Sequence, residues 1–331
     1  MIKIAKVPFI KIVSFCVASI TLSACGTALT ATTTADDTVL ASPFSGATLY
    51  VDPDSNAAQQ AEEWQASRPD DAELLLLIAA QPTAKWFGDW NDDIAEDVAT
   101  ATTTITEAGA LPVFVAYNIP NRDCGGYSAG GAADAAAYLD WIEDFADAIG
   151  DRAAVVILEP DAAALVSCLS DEDREIRFSL LSQAVTTFKA KPAISVYIDA
   201  GNSTWFDADE MADSLAQAGI ANADGFSLNV SNFYTTDENL VYGETLSALV
   251  DDKHFIIDTA RNGLGSNGEW CNPSGRALGD NPSVDTGYDL IDALLWIKPP
   301  GESDGECNGG PPAGEWWVEY ALELARLASE N

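Results

Sequence analysis

Two stretches decide the fold: LPVFVAYNI at 111–119 and AAVVILE at 153–159. Each is a short, nearly continuous apolar run rich in β-branched residues, without the alternation of a half-exposed strand. Strands buried on both faces read this way, and they belong to parallel sheets whose crossovers are helices. Outward from these two, similar runs recur at LLLLIAA (74–80), AISVYID (193–199), GFSLNV (225–230), HFIIDT (254–259) and LLWIKP (294–299), so seven strands are expected. Amphipathic stretches lie between them. In 131–150, for instance, Tyr138, Trp141, Ile142, Phe145 and Ile149 recur at helical spacing and Gly150 ends the run. The alternation predicts one large α/β domain. A doubly wound open sheet is the alternative to a barrel, and the residues at the strand ends favour the barrel.

Nearly every run is followed by polar or aromatic residues that packing alone does not demand. The second leads to Tyr117, Arg122 and Asp123, the third to Glu159 and Asp161, and the fourth to Asp199, Asn202 and Trp205. The fifth leads to Asn229 and Asn232, the sixth to Asp258, Arg261 and Trp270, and the seventh to Lys298, Glu302 and Asp304. In a parallel barrel these ends converge on one face, where active sites are built. Any single aspartate there is commonly a turn former or helix cap; several on one rim, with tryptophans among them, call for another explanation.

Few reactions suit such a rim. There is no Gly-x-Ser-x-Gly elbow, no metal-ligand spacing, and the single histidine, His254, opens an apolar strand and reads as structural. No cofactor or metal is expected. Paired carboxylates suit glycoside hydrolysis, in which one donates a proton to the leaving oxygen and another manages the water or the anomeric carbon. Nine tryptophans supply faces for pyranose rings. Trp86, Trp205 and Trp270 stand in loops beside acidic residues and read as sugar platforms, whereas Trp141, Trp316 and Trp317 read as packing residues.

The amino terminus is of another kind. Lys3, Lys6 and Lys11 lead into an apolar stretch from Ile12 to Leu22, too short to span a bilayer, and Leu22-Ser23-Ala24-Cys25-Gly26 resembles a bacterial lipobox. The expected organisation is a lipoprotein signal peptide at 1–24, a lipidated Cys25 with a Thr/Ala-rich tether at 25–43, and a catalytic domain at 44–331. Removing the three leader lysines leaves 13 basic against 52 acidic residues, a net charge of −39. That field repels nucleic acid and anionic lipid but is indifferent to a neutral polymer. The membrane is therefore expected as a partner only through the lipid anchor, and the chain as an exported monomer. Cys124, Cys168, Cys271 and Cys307 remain in the exported domain, an even number with three possible pairings; the sequential one would join residues 44 and 36 positions apart.

YNIPNRDCGG (117–126), VILEPDAAA (156–164), YIDAGNSTW (197–205), LNVSNF (228–233), EWCN (269–272) and LWIKPPGESDG (295–305) together resemble glycoside hydrolase family 6, the cellulases, over roughly 44–329. The resemblance implies a distorted seven-stranded parallel (β/α) barrel and hydrolysis of β-1,4-glucan or cello-oligosaccharides with inversion. It makes Asp161 the general acid, Asp123 the carboxylate that raises its pKa and assists the water, Asp304 the base or charge stabiliser, and Asp199 a further active-site aspartate. Tyr117 presses on the distorted sugar and Ser128 holds the water. Lys298, Glu302 and Asn232 bind hydroxyls, and Trp86, Trp205 and Trp270 stack on sugars. Asn202 stands where the family often has histidine, which alters one sugar contact. Ser303 stands where it often has cysteine, leaving Cys307 to bond Cys271. The segments after Cys124 and after Lys298 look short, so an open cleft cutting inside chains is expected, with end-acting cellobiose release or glucan binding without turnover as the alternatives.

Overall fold

The computed structural model describes residues 42–330, so the expected signal peptide, Cys25 and the tether as far as residue 41 lie outside the described residues. Two helices come first, α1 (Asn56–Trp64) and α2 (Pro69–Ala79), then β1 (Lys85–Gly88), α3 (Ile94–Glu107), β2 (Val113–Tyr117), α4 (Ala135–Ile149) and β3 (Ala154–Leu158). The chain continues through α5 (Asp171–Lys189), β4 (Ile194–Asp199), α6 (Ala208–Ala218), β5 (Gly225–Leu228), α7 (Thr236–Leu249), β6 (His254–Asp258), β7 (Ile291–Leu295) and α8 (Val318–Ser329). The seven strands pair in parallel in sequence order. The sheet curls until its edges meet, but only just. One parallel bridge joins Thr83 to Trp296, the Ala84 amide donates to the Trp296 carbonyl at 3.0 Å, and the Trp86 indole donates to the Ile297 carbonyl at 2.8 Å. This is the distorted seven-stranded barrel that the sequence suggested.

One expected strand is a helix. LLLLIAA (74–80) forms most of α2, and the first strand is the KWFG segment of β1. Pro69 pre-sets the first helical turn, Asp70 and Asp71 complement its amide dipole, and leucine and alanine favour helix over strand. Burial follows the helical period, through Ala72, Leu75 and Ile78. Leu76 and Leu77 are 53% and 42% exposed, and their presence made the run look uniformly buried.

Period-two alternation divides each central strand between two cores. From β2 and β3, Phe114, Ala116, Val156 and Leu158 face out toward α3–α7, whereas Val115, Tyr117, Val155 and Ile157 face into the barrel with Tyr197, Ile256 and Leu295. Phe44 plugs the lower end, 6.1 Å from the Tyr197 ring. Ser55, Asp93, Asp134, Ser170, Asp207 and Thr235 each cap a helix through a side-chain oxygen, so these acidic and hydroxyl residues have structural work. His254 lies at the lower end of β6, its Nδ1 3.0 Å from Asp292, which also accepts from the Tyr197 hydroxyl at 2.6 Å. It is structural, as read, and remote from the strand tips that carry the carboxylates.

Candidate active site

Parallel strands leave unpaired amides at their C-terminal tips, and three buried carboxylates satisfy them. Glu159 accepts from the amides of Asn118 and Ile119, all at 3.0 Å, tying the end of β2 to β3. Asp258 accepts from Ala260, Ser231 and Lys298 at 3.0 Å and from Ile297 at 3.2 Å, tying together the ends of β5, β6 and β7. Asp199 accepts from Gly201 at 3.0 Å, from the Ser227 hydroxyl at 3.1 Å and from the Asp161 amide at 2.9 Å. Burial raises Glu159 and Asp199 to about 7 despite those donors.

Above this layer the strand-end loops enclose a cleft of about 1640 Å³. It is lined by every residue expected to act in catalysis or sugar binding except one: Tyr117, Asp123, Asp161, Asp304, Trp86, Ser128, Asn202, Trp205, Asn232, Trp270, Lys298 and Glu302. The exception is Asp199, which is wholly buried. It lies under the cleft, where it accepts from the Asp161 amide and sets a negative charge beside the Asp161 carboxyl.

Asp161 is the half-buried carboxyl at the centre. Its φ of +71° is a left-handed turn that few non-glycine residues adopt; Glu159 (+49°), Asp123 (+54°), Asn229 (+66°) and Ser231 (+60°) share that geometry at neighbouring strand ends. Burial, then the negative charges of Asp199, Asp123 and Asp304, push the Asp161 carboxyl well above the usual carboxylate range. Asp123 Oδ2 accepts from the Ser128 amide at 2.7 Å. Asp304 is fixed differently: its Oδ2 accepts from the Arg261 guanidinium at 2.9 Å and the Asn272 amide at 3.0 Å, while its own amide donates to Asn272 Oδ1 at 2.7 Å. Arg261 is 1% exposed, so this is a buried ion pair; its Nη2 donates to the Ser231 carbonyl, while its buried Nε has no hydrogen-bond partner among the described residues.

Tyr117 ends β2 with its ring edge-on to Trp86 at 5.3 Å. Lys298 pairs with Glu302 at 3.6 Å and lies 5.9 Å from the Trp86 ring, so a hydroxyl on that ring would meet both signs of charge. Asn202 spends its carbonyl oxygen on a turn to the Thr204 amide and hydroxyl, both at 3.1 Å. The disulfides are Cys124–Cys168 and Cys271–Cys307, one beside Asp123 and the other beside Asp304.

One contributor, Trp90, was not singled out in the sequence, and Arg122, noted there only among the residues after the second run, proves to organise the loop. Trp90, 53% exposed, lines the cleft four residues after Trp86 and stacks its ring over Gly88 and near Arg122. Arg122 is 5% exposed and binds Asp89 at 2.9 Å, the Tyr117 carbonyl at 2.7 Å and the Ser128 carbonyl at 2.8 Å, so it sets both Tyr117 and the Asp123 loop. A tryptophan amid GDWND at a strand end carried the signal for Trp90; nothing in the sequence distinguished the partners of Arg122. Trp316, read as packing, also borders the cleft. Among the described residues no group of histidine, cysteine and carboxylate side chains is arranged to hold a metal ion.

A raised carboxylic acid among carboxylates, under tryptophan faces at the C-terminal mouth of a parallel barrel, defines a glycoside hydrolase. Residues 44–328 match the model of glycosyl hydrolases family 6, and the chain belongs to that family. It is 46% identical over 288 residues to Endoglucanase A of Cellulomonas fimi, covering 86% of this chain but 62% of that protein. It is 43% identical over 302 residues to Endoglucanase 1 of Streptomyces halstedii, covering 88% of this chain and 90% of that one. Among solved structures it resembles the Mycobacterium tuberculosis endoglucanase Cel6, determined with a methyl-cellobiosyl-4-deoxy-4-thio-β-D-cellobioside, at a TM-score of 0.83 and 45% identity over 87% of this chain and all of that one.

Proposed function

We propose that the protein is an inverting endo-β-1,4-glucanase with Asp161 as general acid, exported and held to a membrane by lipid on Cys25. The observation that carries the catalytic reading is the raised Asp161 carboxyl at the floor of the cleft, flanked by Asp123 and Asp304. A protonated Asp161 donates to the glycosidic oxygen as the bond to the anomeric carbon breaks. Water attacks the opposite face of the sugar; Asp123, which lines the cleft with its Oδ2 on the Ser128 amide, takes up its proton. Asp304, bound to Arg261, adds fixed negative charge beside the developing oxocarbenium ion. Tyr117 and Trp86 form the apolar floor for the sugar on one side of the bond, and Trp205 the platform on the other. The names of the similar proteins support endoglucanase action.

Proton NMR of fresh hydrolysate tests the stereochemistry: the α-anomer is expected first, and initial β-anomer would mean retention. Endo action predicts that carboxymethylcellulose loses viscosity well before many reducing ends appear. Early dominance of cellobiose at nearly constant viscosity would favour the end-acting alternative. Radiolabelled palmitate on the expressed chain, lost in Cys25→Ser, tests the anchor.

A further inference from the structure

The two short loops after Cys124 and after Lys298 touch each other at the edge of the cleft. Tyr127, at the tip of the loop after β2, packs on Gly305, in the loop after β7, and tilts its ring against Trp270, in the loop after β6, at 6.1 Å and 48°. Strand β1 lies between β2 and β7 in the barrel, so these contacts cross the mouth and do not join neighbouring strand ends. Tyr127 and Trp270 are 49% and 56% exposed, whereas Tyr117 is 7% exposed, so the pair stands at the rim and Tyr117 on the floor.

Both sides of the contact are held from below. On one side Cys124 is bonded to Cys168, the Arg122 side chain holds the Ser128 carbonyl, and the Gly131 amide donates to Asp89 at 3.0 Å. On the other, Cys271 is bonded to Cys307, and the Asn272 amide group donates to the Gly305 carbonyl at 2.8 Å. Gly305 has a φ of +148°, and a Cβ there would stand 2.4 Å from the Tyr127 Cβ, so the contact exists because this position has no side chain. Among the described residues no hydrogen bond or ion pair is found between the two loops; the contact is apolar.

From this arrangement we propose that Tyr127 is a specificity-determining residue: it narrows the cleft between the Asp123 and Asp304 loops and selects unsubstituted single glucan chains at the bond to be cut. A flat, unmodified chain fits between the floor of Trp86 and Tyr117 and the rim pair, or parts that pair on entry. A chain bearing bulky substituents on the sugar beneath it must keep the pair open throughout the reaction. The tyrosine therefore discriminates by exclusion, not by added affinity. The proposal rests on the glucanase reading.

The test compares kcat/KM on cellopentaose with that on highly substituted carboxymethylcellulose, for the full-length chain, Tyr127→Ala and Tyr127→Phe. In Tyr127→Ala the ratio of substituted polymer to oligosaccharide should rise about three- to tenfold, the modest range that steric selection by one side chain provides. Tyr127→Phe keeps the ring and should keep the wild-type ratio. The basic limb of the pH profile should not move in either variant, because Ser128 still holds Asp123. An unchanged ratio in Tyr127→Ala would overturn the proposal. So would an equal loss on both substrates with a displaced pH limb, which would make Tyr127 a prop for Asp123. Failure of the wild-type chain to cut either substrate would overturn the glucanase reading itself, and this proposal with it.

Discussion

Glu159 and Asp161 stand two residues apart in one turn after β3, both with left-handed backbone, both raised by burial, and they do different work. Glu159 points under the cleft and spends its oxygens on the amides of Asn118 and Ile119. Asp161 points into the cleft, and its environment consists of other carboxylates. On the proposed mechanism the contrast teaches that a raised carboxyl is not by itself a catalytic one: what separates the two is whether the oxygens are already occupied by fixed donors or remain available to a substrate.

The largest effect that can break this comparison is on turnover. Asp161→Asn should lower kcat on β-glucan by about 10²–10⁴-fold, the usual worth of a positioned general acid, while the melting temperature and oligosaccharide binding stay close to wild type. Near-wild-type turnover would transfer the proton donor elsewhere. The mirror experiment is Glu159→Gln, which places an amide NH₂ where backbone amides now donate. It should cost about 1–3 kcal/mol of stability in denaturant titration, with kcat per folded molecule little changed. If Glu159→Gln instead abolished turnover in a stable protein, the division between the two residues would fail.

Smaller effects sharpen the comparison through pH. On the proposed mechanism activity requires Asp161 protonated, so its raised pKa sets the alkaline limb, and activity falls as pH rises through that value. Asp123→Asn removes a negative charge that holds the proton on Asp161, so the limb should move to lower pH and kcat should fall in part. A limb that stays in place would remove Asp123 from the tuning role. Asp199→Asn keeps an acceptor for the Asp161 amide but removes its charge. It should displace the limb in the same direction, without raising KM, since Asp199 does not reach the cleft surface. A raised KM would put Asp199 in contact with substrate after all.

Much of this was legible in the sequence because parallel strands imprint themselves locally. A strand buried on both faces must be a continuous apolar run, and the polar residue that ends it marks the barrel mouth, so β2 to β6 and the carboxylates after them could be read directly. The four cysteines of the domain also announced two bonds. Leu74 to Ile78 misled, because a short leucine-rich run fits a buried strand and a half-exposed helix equally until its packing partners are known. What the chain cannot encode locally is which way a strand-end side chain points and what meets it from elsewhere. Asp199 and Asp258 became struts because amides from other strands converge on them, and Arg122 became an organiser because Asp89, Tyr117 and Ser128 surround it. The Tyr127 contact with Trp270 and Gly305 joins segments more than 140 residues apart in the sequence. Composition and periodicity determine which residues reach the mouth of this barrel; only the closure of the sheet decides which of them face the substrate, which face each other, and which hold the strand ends together.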